Sequence, residues 1–128
     1  MIEIIGSVKI KGYKKALKQF LKNILKLERK KHPKKIYILL TNDQKMRKLN
    51  KQFLKKDKTT DVISFNFGKI AEIYVNTDYA KRLGDFSYFI AFYCLHGLLH
   101  ILGYDHKTKE ERKEMFKKQE KYINLWKF

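Results

Sequence analysis

The stretch Phe86–His106, FSYFIAFYCLHGLLHILGYDH, decides the reading of this chain. It begins as a nearly unbroken apolar run and ends in His96, His100 and His106, three of the four histidines in the sequence. Asp85 just before it is a good N-cap, and Gly103 is placed to end a helix by turning left-handed. A membrane span needs about twenty mainly apolar residues. This run is shorter and is interrupted by Ser87, His96, Gly97 and His100. A helix apolar on every side that is too short to span belongs in a protein core. The chain therefore reads as built around a central helix carrying ligand-type side chains at its C-terminal end.

The flanking sequence supplies partners for that helix. Glu3–Ile10 (EIIGSVKI) reads as a strand with Gly6 as a bulge. Tyr13 to about Glu28 reads as an amphipathic helix, with Tyr13, Leu17, Phe20, Ile24 and Leu27 at three- and four-residue steps. Ile36–Leu40 is a short continuous apolar strand of the kind buried on both faces. Thr41, Asn42 and Asp43 offer N-caps for a helix through about Phe53, with Met46, Leu49 and Phe53 facing inward. Val62–Phe67 alternates, placing Ile63, Phe65 and Phe67 on one face, and Gly68–Lys69 turns it into Ile70–Asn76 as a hairpin. Asp78 opens a short helical turn. Thr108 followed by Glu111 fits a capping box for a last helix, with Met115, Gln119, Tyr122, Ile123 and Trp126 as its inward stripe. The expected fold is a single α+β domain over residues 1–128. A small mixed sheet of about four strands packs with helices around the central apolar helix.

At 44% hydrophobic and 14% aromatic residues the composition is that of a globular protein, in spite of 30 Lys/Arg against 13 Asp/Glu and a net charge of +17. The charge is lopsided. Residues 1–56 hold 18 basic and 3 acidic side chains, residues 57–128 hold 12 and 10. A field of one sign attracts polyanions, nucleic acid first, and a uniform drift towards lysine would not stop at residue 56. Cys94, the single cysteine, cannot form an internal disulfide and sits in the apolar run as a small hydrophobe. With no basic-then-apolar leader at the N-terminus, a reducing cytoplasm is the expected compartment, with no membrane association and no dinucleotide cofactor.

The histidines carry the chemistry. His96 and His100 are four apart, so on a helix they share one face about one turn apart. With Gly103 turning the chain, His106 is placed to add a third nitrogen. Three neutral imidazoles suit one zinc ion at roughly 2.0–2.1 Å, with nickel or another divalent metal also compatible. Three protein ligands leave a fourth position open, as catalytic sites do, for a water of lowered pKa. The alternative is two core histidines and one surface histidine. Three in eleven residues, as an i,i+4 pair and a third beyond a glycine turn, argue for the metal.

His96-x3-His100-x2-Gly103-x2-His106 has the spacing of the extended zinc-peptidase motif H-E-x-x-H-x-x-G-x-x-H, but Gly97 stands where the catalytic glutamate belongs. A peptidase is therefore not expected. Glycine inside a helix costs about 0.5–1 kcal/mol relative to alanine. Gly97 serves either close helix packing or, functionally, room for a bulky substrate beside the metal.

The segment HGLLHILGYDH resembles the signature of the YbeY family of metal-dependent endoribonucleases, which act in ribosomal RNA maturation. LNKQFLKKDKTTDVISF (Leu49–Phe65) is similar to that family's LN-x-x-YR-x-x-D-x-PTDVLSF, and AEIYVN (Ala71–Asn76) to its GDI-x-I strand. The resemblance implies His96, His100 and His106 as zinc ligands. It also implies an α+β fold with the metal at the end of the central helix. The implied substrate is RNA, notably the 3′ end of small-subunit ribosomal RNA, with the small subunit itself as a partner. Two departures stand out. Leu54 occupies the position of the family's arginine, thought to help hold phosphate, and Thr59 that of its proline. Lys55, Lys56 and Lys58 could grip phosphate instead, without arginine's bidentate fork, or form a solvated basic loop. Asp105 either orients a ligand imidazole or caps its turn, and Asp61 is either a turn residue or a cleft carboxylate. No protein general base is evident, and the nucleophile is open. The competing reading is a non-catalytic RNA- or ribosome-binding assembly factor with a structural metal.

Overall fold

Three strands run parallel and a fourth, antiparallel, closes one edge. The computed structural model describes all 128 residues. Along the chain lie β1 (Ile2–Ile5), α1 (Tyr13–Glu28), β2 (Lys35–Thr41), α2 (Asp43–Leu54), β3 (Val62–Asn66), β4 (Ile70–Asn76), α3 (Thr77–Leu83), α4 (Phe86–Ile101) and α5 (Lys109–Ile123). The sheet order is β1-β2-β4-β3. β1 pairs parallel with β2 and β2 parallel with β4, while the hairpin sets β3 antiparallel to β4 with Ile63 opposite Tyr74 and Ser64 opposite Ile73. This is the expected mixed four-stranded α+β arrangement, and α4 is its centre.

The alternation of the strands sorts side chains to two faces. Ile36, Ile38, Ala71, Ile73 and Val75 join residues of α1, α4 and α5 in the main core. On the opposite face Ile63 packs with Met46 and Leu49 of α2, flanked by Phe65 and Tyr74. α4 is buried from Ile90 to Ile101 at nearly every turn, which explains why its sequence is apolar all round. Asp85 caps it by accepting from the Tyr88 N–H (3.2 Å), and the Thr108–Glu111 capping box opens α5. No helix is long and apolar enough to cross a membrane.

Several local expectations are corrected. β1 stops at Ile5 instead of continuing to Ile10. Gly6 has φ +114°, and a Cβ there would lie 2.9 Å from Leu40 Cβ and its carbonyl oxygen, so Gly6 ends the strand. In the last turn of α1 the inward position falls on Glu28, whose side chain is 2% exposed, while Leu27 is 56% exposed. Asn76, not Asp78, caps α3 by accepting from the Asp78 and Tyr79 N–H groups. Trp126 lies beyond the end of α5, edge-on to Tyr13 and Phe20. Phe53 and Phe67 point outward, at 51% and 66% exposure, because the small core under α2 is already filled by Met46, Leu49 and Ile63.

Candidate metal centre

His96 and His100 sit on the last two turns of α4, and Gly103 (φ +101°) reverses the chain. The reversal is fixed by the Gly103 N–H to the His100 carbonyl and the Tyr104 N–H to the Leu99 carbonyl, both 3.0 Å. His106 thereby returns over the helix end. The ring centroids lie 4.8 Å (His96–His100), 5.0 Å (His100–His106) and 5.9 Å (His96–His106) apart. One ligating atom from each ring lies within 4.8 Å of the other two. Two nitrogens on one tetrahedral zinc sit about 3.4 Å apart, so the three rings are gathered around one point and would draw in further to hold an ion there.

The donor chemistry fits such an ion. Burial, and then the neighbouring His96 and His106 rings, hold the His100 pKa below its ordinary value, favouring the neutral imidazole that ligates. His96 Nδ1 is hydrogen-bonded to Gln119 Oε1 of α5. An amide oxygen only accepts, so this bond places the proton on Nδ1 and leaves the Nε2 lone pair for a metal.

Behind His106 lies a second constellation. Glu28 accepts hydrogen bonds from the hydroxyls of Tyr104 and Tyr122 and from Lys118 Nζ (2.9 Å). Burial alone would raise the Glu28 pKa, but the three donors outweigh it and bring it down to about 2. The carboxylate therefore ties α1 and α5 to the loop residue two positions before His106.

In front of the triad runs an open groove of about 780 Å³, walled by Thr60–Asn66, Phe53, Leu54, Ile101 and the three histidines. Ser64 and Asn66 lie on the α4 side of β3, donating to the Gly97 carbonyl (3.2 Å) and the Ile101 carbonyl (3.3 Å). Ile63 and Phe65 lie on the α2 side. Both sets line the groove, so it follows the free edge of the sheet.

Comparison with known proteins shows the family. A family model described as Endoribonuclease YbeY matches residues 4–127. The chain belongs to that family. YbeY endoribonucleases similar to it include one from Acholeplasma laidlawii, 36% identical over 104 residues (73% of this chain, 76% of the relative). Another, from Bacillus cereus, is 28% identical over 136 residues (90% and 87%). The solution structure of TM1509 from Thermotoga maritima superposes with a TM-score of 0.67 at 32% identity, covering 97% of this chain and 87% of that one.

Within the YbeY framework the individual residues separate. Asp61 is the one acidic residue on the groove wall. Its Oδ1 accepts from the Val62 N–H (2.7 Å) and the Thr60 hydroxyl (3.2 Å), so it is a turn residue and a cleft carboxylate at once. Asp105 accepts from the His106 backbone N–H (2.7 Å) and bonds no histidine ring, which makes it the cap of its turn. The lysines are not brought to the histidine triad. Lys55, Lys56 and Lys58 are all exposed and outside the groove wall, and Lys58 borders a separate charged depression beside α2 with Arg47, Lys48 and Lys51. Buried Asn50 pins their loop through the Lys58 carbonyl (2.9 Å) and the Lys56 N–H (3.2 Å). Thr59, where the YbeY pattern has proline, is held by hydrogen bonds to Asp43 Oδ1 and Asn76 Nδ2, both 3.0 Å.

Gly97 faces the sheet. A Cβ there would lie 2.5 Å from Ile73 Cγ2 and 3.0 Å from Ser64 Oγ, so the glycine allows close helix–strand packing and leaves no space for a substrate. Gln119 and Glu28 escaped the sequence reading as functional residues. Gln119 had a signal, as the lone polar member of the inward stripe of α5. Glu28 had a fainter one, as one of only three acids among the first 56 residues.

Proposed function

We propose that this chain is a metal-dependent endoribonuclease that cuts single-stranded RNA, with His96, His100 and His106 holding one zinc ion. The observation that carries the reading is the convergence of three imidazoles at the head of an open groove, in a chain of the YbeY family. Nickel or another divalent metal suits the same ligands. The bound metal supplies Lewis-acid polarisation of a phosphoryl oxygen and a lowered pKa for water. The chain's own residues do the rest. Gln119 holds His96 in the ligating tautomer. Asp61, the one carboxylate on the groove wall, takes up the proton of the attacking hydroxyl or water in this reading. The +17 charge draws the RNA backbone. The substrate we infer is ribosomal RNA at the 3′ end of the small-subunit molecule, met on the small subunit in a reducing cytoplasm. The buried thiol of Cys94, whose pKa burial pushes up, accords with that compartment.

One observation favours a second reading. No lysine or arginine lines the groove, and Leu54 stands on its wall. That is what a non-catalytic assembly factor with a structural metal would tolerate. Wild type and His100→Ala compared on a structured RNA with a 3′ extension decide between the two. The enzyme reading expects cleavage by wild type and loss of both metal and cleavage, at least about a hundredfold, in His100→Ala. Equal cleavage by both proteins would expose a contaminating nuclease. Metal content unchanged in the variant would remove His100 as a ligand.

A further inference from the structure

The α2 side of the groove is bordered by an aromatic ridge. Phe53 lies edge-on to Phe65 at 5.1 Å, Phe65 is stacked with Phe67 at 6.1 Å, and Tyr74 abuts Phe65 at 5.9 Å. Phe53 and Phe67, at 51% and 66% exposure, cover no core that needs them. Exposed rings in a row are costly in water, and Leu54, also 51% exposed, extends the apolar rim. Lysines stand at both ends: exposed Lys55 and Lys56 follow Phe53 and Leu54, and exposed Lys69 follows Phe67 at the hairpin tip. Aromatic faces flanked by cations are the make-up of a single-strand nucleic-acid platform, where bases stack and the backbone is tracked by charge.

We propose that Phe53, Phe65 and Phe67 stack unpaired bases of the RNA beside the cleavage site, while Lys55, Lys56 and Lys69 follow its backbone. This rests on the endoribonuclease reading and adds to it the residues that hold the strand. The groove follows the free edge of β3, so the RNA crosses that edge, with bases against the α2 face and a phosphate at the histidines on the α4 side. Such a site prefers single strands over duplex and discriminates little among sequences, because every base has a stacking face. The competing occupant is a second copy of the chain, since an edge strand with exposed aromatics also suits self-association.

Binding of an unstructured RNA of about ten nucleotides tests this, measured beside an abasic oligomer of the same length for wild type, Phe53→Ala, Phe67→Ala and Phe53→Tyr. Both alanine positions are exposed, so the variants fold. The abasic oligomer should bind wild type roughly tenfold more weakly or worse, and each alanine variant should lose about tenfold on the intact RNA only. Phe53→Tyr should restore binding. Wild type binding both oligomers equally would overturn the platform. So would alanine variants that bind RNA unchanged while sedimentation shows a dimer becoming monomer, which would assign the ridge to self-association. In either case His100→Ala would still separate cleaving from non-cleaving protein, so the endoribonuclease reading stands or falls on its own.

Discussion

The two sides of the His96–His106 segment are built in opposite ways. Behind it, Tyr104, Tyr122 and Lys118 converge on Glu28 while Gln119 separately holds His96, and every buried side-chain polar atom has a partner. In front of it lies an open groove with an apolar rim, one carboxylate and no cation on its wall. Precision resides at the back, because a metal site needs its ligands held to fractions of an ångström. Tolerance resides at the front, where a flexible polymer must enter, be cut and leave. The difference predicts that changes behind the histidines act on stability and metal, whereas changes in front act on RNA.

The largest expected effect is at the back. Glu28→Ala removes the acceptor of three donors. Breaking a buried charged pair costs about 3–5 kcal/mol, and the low end applies because Lys118 remains 28% exposed and can turn to water. Denaturant unfolding of wild type and variant measures it. The carboxyl is depressed from 4.5 to about 2 in the fold. Its contribution is therefore full above pH ~4.5 and is lost as pH falls from ~4.5 towards ~2, the unfolded chain binding the proton first. The stability gap between wild type and Glu28→Ala should close over that window. A gap independent of pH would show that the tyrosines pack without needing the charge.

Next in size is Gln119→Leu, which keeps the volume and deletes the acceptor for His96. Losing such an outer partner typically costs about 10–100-fold in metal affinity. Competition with a chelator reads this directly. RNA binding should be unchanged, which would confirm the division between back and front.

The same division explains what the sequence disclosed. The apolar period of α4, the cap at Asp85, the turn at Gly103 and the histidine spacing are local features, and all are legible as written. The two Thr108–Glu111 and Asn42 caps are equally local. The clamp at Glu28 is not, because its donors Tyr104, Lys118 and Tyr122 lie 76 to 94 residues away. The inward slot at the end of α1 fell to a carboxylate for which periodicity offers no sign, so Leu27 was the natural choice. Gly97 fits the same pattern. Its spacing could mean a vacancy for substrate or a tight contact, and only the register that brings Ile73 and Ser64 under it decides for contact. The outward turn of Phe53 and Phe67 was hidden because alternation assigns a face without saying how far the core beneath it extends.

The smallest effect expected is at the front, and it is the sharpest test of the contrast. Leu54→Arg places a guanidinium on the groove rim, where the side chain is 51% exposed and desolvation is slight. Stability should change by less than about 0.5 kcal/mol. Metal affinity should not change, because Leu54 touches none of the network behind the histidines. RNA binding should tighten a few-fold, and the slope of log affinity against log salt should steepen by about 0.7, one more phosphate neutralised on a single strand. Faster cleavage alongside tighter binding would mean the new charge acts in the transition state. Tighter binding with unchanged turnover would mean it only holds the backbone. A salt slope that did not move would place the RNA backbone elsewhere than along α2 and β3, and the groove would lose its claim to be the path of the strand.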